Sequence, residues 1–267
     1  MIALHAEAEL REAYATLRRT NANWHVHEGE PTEPGWLRAH ALTDPNTGPL
    51  ADLLRRIGER LKSEDKKVVA CSFLLRFAWS AAAAVGPFLV ARCVPDMSLE
   101  NSALKFSADA ALFERVALFE LRGAPEPSGR GSRDAHARLR NTLLQQATPV
   151  VEALHAWSGM PLRSLWGQVL SSWSLQFVSI LTELGDPLRA LDETAAFFAS
   201  PELAHRCPPQ LYAVEHASLT RVYHCRGSCC LYYKTGAGSY CASCPLITQE
   251  QRLARNRAWM EELSRPG

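Results

Sequence analysis

The 267-residue sequence has almost no surplus of one charge: 29 Lys and Arg stand against 28 Asp and Glu, a formal net charge of +1. Without a global positive field there is nothing to hold a phosphate backbone, so sequence-independent nucleic-acid binding is excluded as the main activity and no nucleic-acid partner is expected. An uninterrupted apolar run is also missing. Val68 to Ala91 comes nearest, but Ser72, Arg76, Ser80 and the Gly86-Pro87 pair break it. An arginine near the centre of a span costs roughly 2.5–3.5 kcal/mol on the insertion scale. The stretch therefore reads as a buried helix from Lys67 to Val85 that stops at Gly86-Pro87. No transmembrane segment is expected. The first twenty residues place Glu7, Glu9, Arg11 and Glu12 where a signal peptide needs an apolar core. The expected location is the cytoplasm, and peripheral association with the inner face of the cell membrane is compatible with this. Walker, G-x-G-x-x-G and G-x-S-x-G signatures are lacking as well, which removes the usual marks of phosphate-loop, nicotinamide, flavin and serine-hydrolase chemistry.

What the chain does have is 47% apolar residues and a length that buries a core without disulfide staples. Residues 2–20 predict a helix with Leu10, Tyr14 and Leu17 on one face, followed by a connecting loop from Glu28 to Pro49. Leu50, Leu53, Leu54, Ile57 and Leu61 fall on one side of a second helix. Phe88–Val94, Ser102–Ser107 and Phe113–Leu121 predict a small antiparallel sheet, and Gly123–Ser132 a mobile loop without large apolar anchors. Leu139 to Leu154 marks a helix bent or restarted at Pro149. Leu162 to Leu184 marks a longer one, and Gly185-Asp186-Pro187 opens another, to about residue 199. The fold class is α+β: a mainly helical body over residues 1–220 with a small antiparallel sheet, and a C-terminal segment over 221–267.

That last segment concentrates the chemistry. Five of the eight cysteines lie between 225 and 244. Cys229 and Cys230 are adjacent, ten residues separate Cys230 from Cys241, and Cys241-Ala-Ser-Cys244 is a C-x2-C followed by Pro245. Four converging thiolates mean zinc or an iron–sulfur cluster. Adjacent cysteines suit a wider target than a single tetrahedral ion. Residues 221–246 carry Arg221, Arg226 and Lys234 with no Asp or Glu, a local charge of +3 that favours an anionic group such as a [2Fe–2S] core. Four of the six tyrosines, Tyr223, Tyr232, Tyr233 and Tyr240, interleave with the cysteines, where packed rings limit water. A structural zinc knot remains the alternative, since spacing alone does not fix the metal.

The arrangement R-x2-C-C-x10-C-x2-C-P, here Arg226, Cys229, Cys230, Cys241, Cys244 and Pro245, resembles the FhuF-like ferric siderophore reductases, as does the helical stretch 160–173 preceded by a small sheet. The resemblance implies that Cys229, Cys230, Cys241 and Cys244 bind a [2Fe–2S] cluster passing one electron to a cytoplasmic ferric siderophore, hydroxamate-type by expectation, with release of Fe(II). No catalytic residue beyond the cluster is implied. Arg226 belongs to the motif and is expected to brace the cluster, with Lys234 and Tyr233 as supporting residues; Cys225 stands outside the pattern. With no cofactor fingerprint in the chain, electrons are expected from an external donor such as a ferredoxin, a flavodoxin or their reductase. The rival function is a non-enzymatic binding protein in which the four cysteines hold a structural zinc ion.

The other notable residues read as structural. Cys71, Cys93 and Cys207 read as small hydrophobes, Trp166 and Trp173 as core, and His25 and His27 as loop histidines. Thr248-Gln-Glu-Gln251 is a capping box opening a helix that clamps the cysteine loop to the body. Arg252, Arg255 and Arg257 are expected on that helix's solvated face.

Overall fold

The structure, a computed structural model, describes residues 2–21, 26–108, 111–124, 135–216, 219–236 and 238–264. The mobile loop expected over 123–132 falls mostly outside these, as does His25. Helix α1 (Ile2–Thr20) leads into strand β1 (Val26–Glu28); β2 (Trp36–Arg38) and a 3₁₀ turn at Ala39–Thr43 lie within the expected connecting loop. Helix α2 (Gly48–Leu61) buries all five of its predicted apolar residues. Helix α3 (Lys66–Phe77) is capped by Asp65, whose carboxylate accepts from the Lys67 N–H at 2.9 Å.

After the 3₁₀ turn Ala78–Ala81, helix α4 (Ala82–Ala91) runs straight through Gly86-Pro87. The predicted stop and the strand predicted at Phe88–Val94 are therefore both overturned. Proline in a helix interior leaves the carbonyl four residues earlier without a donor. Here that carbonyl belongs to Ala83, and the Tyr14 hydroxyl of α1 supplies the missing bond at 2.7 Å. The run Lys66–Ala91 is long and apolar enough to cross a membrane by length and composition, and 72% of its most apolar window is buried inside the chain.

Strands β3 (Ser102–Phe106) and β4 (Phe113–Leu118) appear where expected. They form a four-stranded sheet in the order β1-β4-β3-β2, antiparallel except where β1 joins β4 in parallel. The sheet of the body is thus mixed. Helix α5 (Ala135–Ser158) continues through Pro149 as one element. The central helix α6 (Leu162–Glu183) packs against α3, α4, α5 and α7 (Arg189–Phe198), and carries the buried Trp166 and Trp173, whose rings meet edge to face at 6.2 Å.

A short helix α8 (Pro201–Ala204) precedes an antiparallel hairpin, β5 (Gln210–His216) and β6 (Leu219–Cys225). The hairpin straddles residue 220 and delivers the chain to the cysteine loop. Helix α9 (Gln249–Ser264) closes the fold against β5. Its capping box forms as read: Thr248 N–H donates to Gln251 Oε1 at 3.0 Å, and Gln251 N–H to Thr248 Oγ1 at 3.2 Å.

Candidate metal centre

The loop between β6 and α9 is seated on the N-terminal half of α6 by hydrogen bonds. Ser228 Oγ donates to the Ser164 carbonyl at 2.6 Å, while the buried Gln168 amide donates to Ser228 Oγ and, at 3.2 Å, to the Cys229 carbonyl. Seating this close needs two glycines. A methyl group on Gly167 would lie 2.7 Å from Ser228 Cβ, and one on Gly227 would overlap the Cys207 carbonyl. Residues 160–173 thus form part of the surface that receives the cysteines.

From the other side, α9 grips the loop. Arg252 Nη1 donates to the Cys244 and Ile247 carbonyls at 2.9 and 2.6 Å, Arg255 donates to the Tyr240 carbonyl, and Asn256 donates to the Tyr212 hydroxyl at 2.8 Å. Arg255 and Arg257 are exposed, as read, whereas Arg252 is half-buried and turned onto the loop, which corrects its reading as part of a solvated face. Sequence periodicity registers which face of a helix is apolar; it carries no signal for unpaired loop carbonyls waiting beside an arginine.

The thiols come together as two crossed pairs. Cys230 and Cys241 act on each other, the contact raising the Cys230 thiol and lowering that of Cys241. Burial is the main cause pushing the Cys244 thiol up to about 11, and Cys229 beside it adds to the rise. Each pair takes one sulfur from the Cys-Cys dipeptide and one from the C-x2-C. Each sulfur also faces the amide two residues on: Leu231 N–H reaches Cys229 Sγ at 3.4 Å, Leu246 N–H reaches Cys244 Sγ at 3.5 Å, and the Tyr232 and Ser243 amides donate to Cys230 and Cys241. Amide donors aimed at sulfur stabilise thiolate charge and tune what the thiolates hold.

Among the described residues, no three His, Cys, Asp or Glu groups stand close enough to hold a metal ion. A donor set of four sulfurs in two pairs, lined with amide dipoles, fits a two-metal group. A [2Fe–2S] cluster supplies reversible one-electron transfer when bound.

The supporting residues separate. Arg226 braces the loop, its Nε on Ser243 Oγ at 3.0 Å and its amide on the Ser243 carbonyl at 2.9 Å. The Tyr233 ring packs on Tyr240 at 5.0 Å, tying the two arms of the loop together. Lys234 lies exposed in a 3₁₀ turn, Tyr232–Lys234. Tyr232 and Tyr240 are also exposed, and Tyr223 pairs with Tyr212 across the hairpin, so the four tyrosines do not form a continuous shield.

Cys225 ends β6 half-buried, with burial and the nearby Cys241 raising its pKa. Cys71, on α3, is fully buried and pushed up to about 12 by desolvation, then by Cys229 beside it. Cys93 sits by Glu9, and Cys207 accepts from Arg163 Nε at 2.7 Å. His224 is buried beside Arg226, and desolvation pulls it down to about 3, so its ring is neutral.

Curated proteins offer no match to this chain. Residues 226–246 match the family model described as the FhuF 2Fe-2S C-terminal domain. That domain binds a 2Fe-2S cluster, and the span matched holds both pairs of thiols. Over residues 226–246 the chain is thus similar to the FhuF 2Fe-2S C-terminal domain.

Proposed function

We propose that Cys229, Cys230, Cys241 and Cys244 are the four ligands of a [2Fe–2S] cluster, and that the protein reduces ferric siderophores of the hydroxamate type by one electron in the cytoplasm. The FhuF-type domain points to siderophore-iron reductases. The observation that carries the reading is the crossed pairing of the sulfurs, each with an amide donor two residues on. Fe(III) is held by the hard oxygens of a siderophore; as Fe(II) it is a poorer match to them and can pass to softer acceptors.

In this reading the chain's own part is to hold, orient and partly expose the redox group. Gln168, Ser228 and Arg252 fix the loop, the four amides offset charge on sulfur, and Arg226 adds a positive charge beside it. Electrons come from a ferredoxin, a flavodoxin or their reductase. The division into a body over 1–220 and a cluster-binding segment over 221–267 belongs to the same proposal.

The test is anaerobic: chemically reduced protein is mixed with a ferric hydroxamate and an Fe(II)-trapping dye. Reoxidation of the protein with one trapped Fe(II) per electron supports the reading. Reduced protein that stays reduced overturns it.

A further inference from the structure

Helices α2 and α3 meet the cysteine loop across a cleft of ≈ 190 Å³ walled by Arg60, Arg76, Arg226, Tyr232, Cys230 and Cys241 among others. Its described wall holds three arginines and no Asp or Glu. Arg60 is exposed at the end of α2, and Arg76 is half-buried on α3. Arg76 spends Nη1 on the Ser72 carbonyl at 2.6 Å and on the Ser72 hydroxyl. Its Nε, like Arg226 Nη1, is buried with no hydrogen-bond partner among the described residues. Burial and the neighbouring charge of Arg60 pull Arg76 down only to about 10, so it stays charged at neutral pH. Leaving buried guanidinium N–H groups unpaired is costly, and a planar carboxylate is the group that satisfies them best.

We propose that this cleft receives a carboxylate arm of the ferric chelate, so that the protein selects chelates carrying free carboxylates, such as citrate-based hydroxamates, over neutral trihydroxamates. The inference rests on the reductase reading for its substrate and adds a recognition site to it. Size limits the occupant: ≈ 190 Å³ is below the ~300 Å³ at which pockets begin to enclose drug-sized ligands. An arm fits and a whole chelate does not. The iron would then rest outside, over the wall formed by Cys230 and Cys241, and its Fe(III) would take one electron from the reduced cluster, which is oxidised by that electron, to become Fe(II) with no ligand bond broken in the transfer itself.

Gallium(III) complexes test this without redox chemistry, because Ga(III) replaces Fe(III) but accepts no electron. Calorimetry on the cluster-loaded protein should show the gallium complex of a citrate-hydroxamate binding more tightly than that of a neutral trihydroxamate. Arg60→Gln and Arg76→Gln should each weaken the first about tenfold, the loss of one charge-assisted hydrogen bond, and leave the second unchanged. Arg55→Gln, whose guanidinium pairs with Asp52 and Glu59 on α2, should alter neither. Arg60 is exposed, so its variant tests the site even where Arg76→Gln unfolds.

Equal weakening of both complexes, or no preference in the unaltered protein, overturns the proposal. So does unchanged binding with a shifted reduction potential, which would make the arginines counter-charges to the cluster. Unchanged binding with slower reduction by an acidic ferredoxin would assign the cleft to the donor and overturn it too. Selective gallium binding by a protein that fails to reduce the ferric complex would sink the reductase reading and leave this site standing.

Discussion

Around Trp173 and around Cys241 the same chain is held together by different forces. Trp173, Phe177, Phe197 and Leu165 are each at most 1% exposed, with rings in contact at 5.4–6.1 Å. In the described part of 226–246 only Thr235 and Cys244 are buried. The loop is fixed by hydrogen bonds to α6 on one side and α9 on the other. Apolar burial sustains the body without help, whereas a loop with so little of it depends on whatever its thiols bind, and that binding free energy is part of its folding free energy.

The largest effect should come from removing the metal. Anaerobic treatment with a chelator should open 226–246 to protease while the far-ultraviolet helical signal of the body persists; loss of both together would erase the distinction. Trp173→Ala should act in the opposite region and cost about 3–5 kcal/mol of global stability in denaturant melts.

A smaller loss is expected at Glu193, which receives Arg92, Arg189 and His136. Burial would raise this carboxyl, but those partners outweigh it and hold it near 2, against an ordinary value of 4.5. A depressed carboxyl stabilises the fold above its unfolded pKa and stops doing so as pH falls through the folded one. Glu193→Gln should therefore cost roughly 1.5–3 kcal/mol at neutral pH, with the gap to wild type closing between about pH 4.5 and 2. A gap independent of pH would contradict the ion-pair account.

Gly227→Ala should cost about 1–3 kcal/mol through overpacking, confined to the segment and seen as lower cluster content with an unchanged body melt. Cys71→Ser, beside Cys229 yet on α3, should leave the cluster in place.

Most of this was legible where one chemical signal decides one structure. The one-sided spacing in α2, the capping box of α9 and the spacing of the four cysteines each needed only neighbours in sequence. Helix α4 was not legible, because Pro87 is tolerated only through Tyr14, whose hydroxyl reaches a carbonyl 69 residues away. Strand β1 is three residues long and joins β4 from 90 positions off, from Val26 to Val116, which turned an expected antiparallel sheet into a mixed one. The β5–β6 hairpin, whose residues do not alternate cleanly between apolar and polar, lay hidden beside a more conspicuous motif. At the site, sequence singled out the thiols and Arg226. It missed Gln168, Ser228, Arg76 and Arg252, whose roles arise only when α3, α6 and α9 come up to the loop.

The central claim is that four thiols in two crossed pairs hold one two-iron cluster. Iron and sulfide analysis with electron paramagnetic resonance of the reduced protein, on wild type and on Cys229→Ser, Cys230→Ser, Cys241→Ser and Cys244→Ser, tests it most directly. The account predicts two irons, two sulfides and a reduced-state signal in the wild type, and loss of all three in every variant. A colourless protein with stoichiometric zinc, or full cluster content in two or more of the variants, would contradict it.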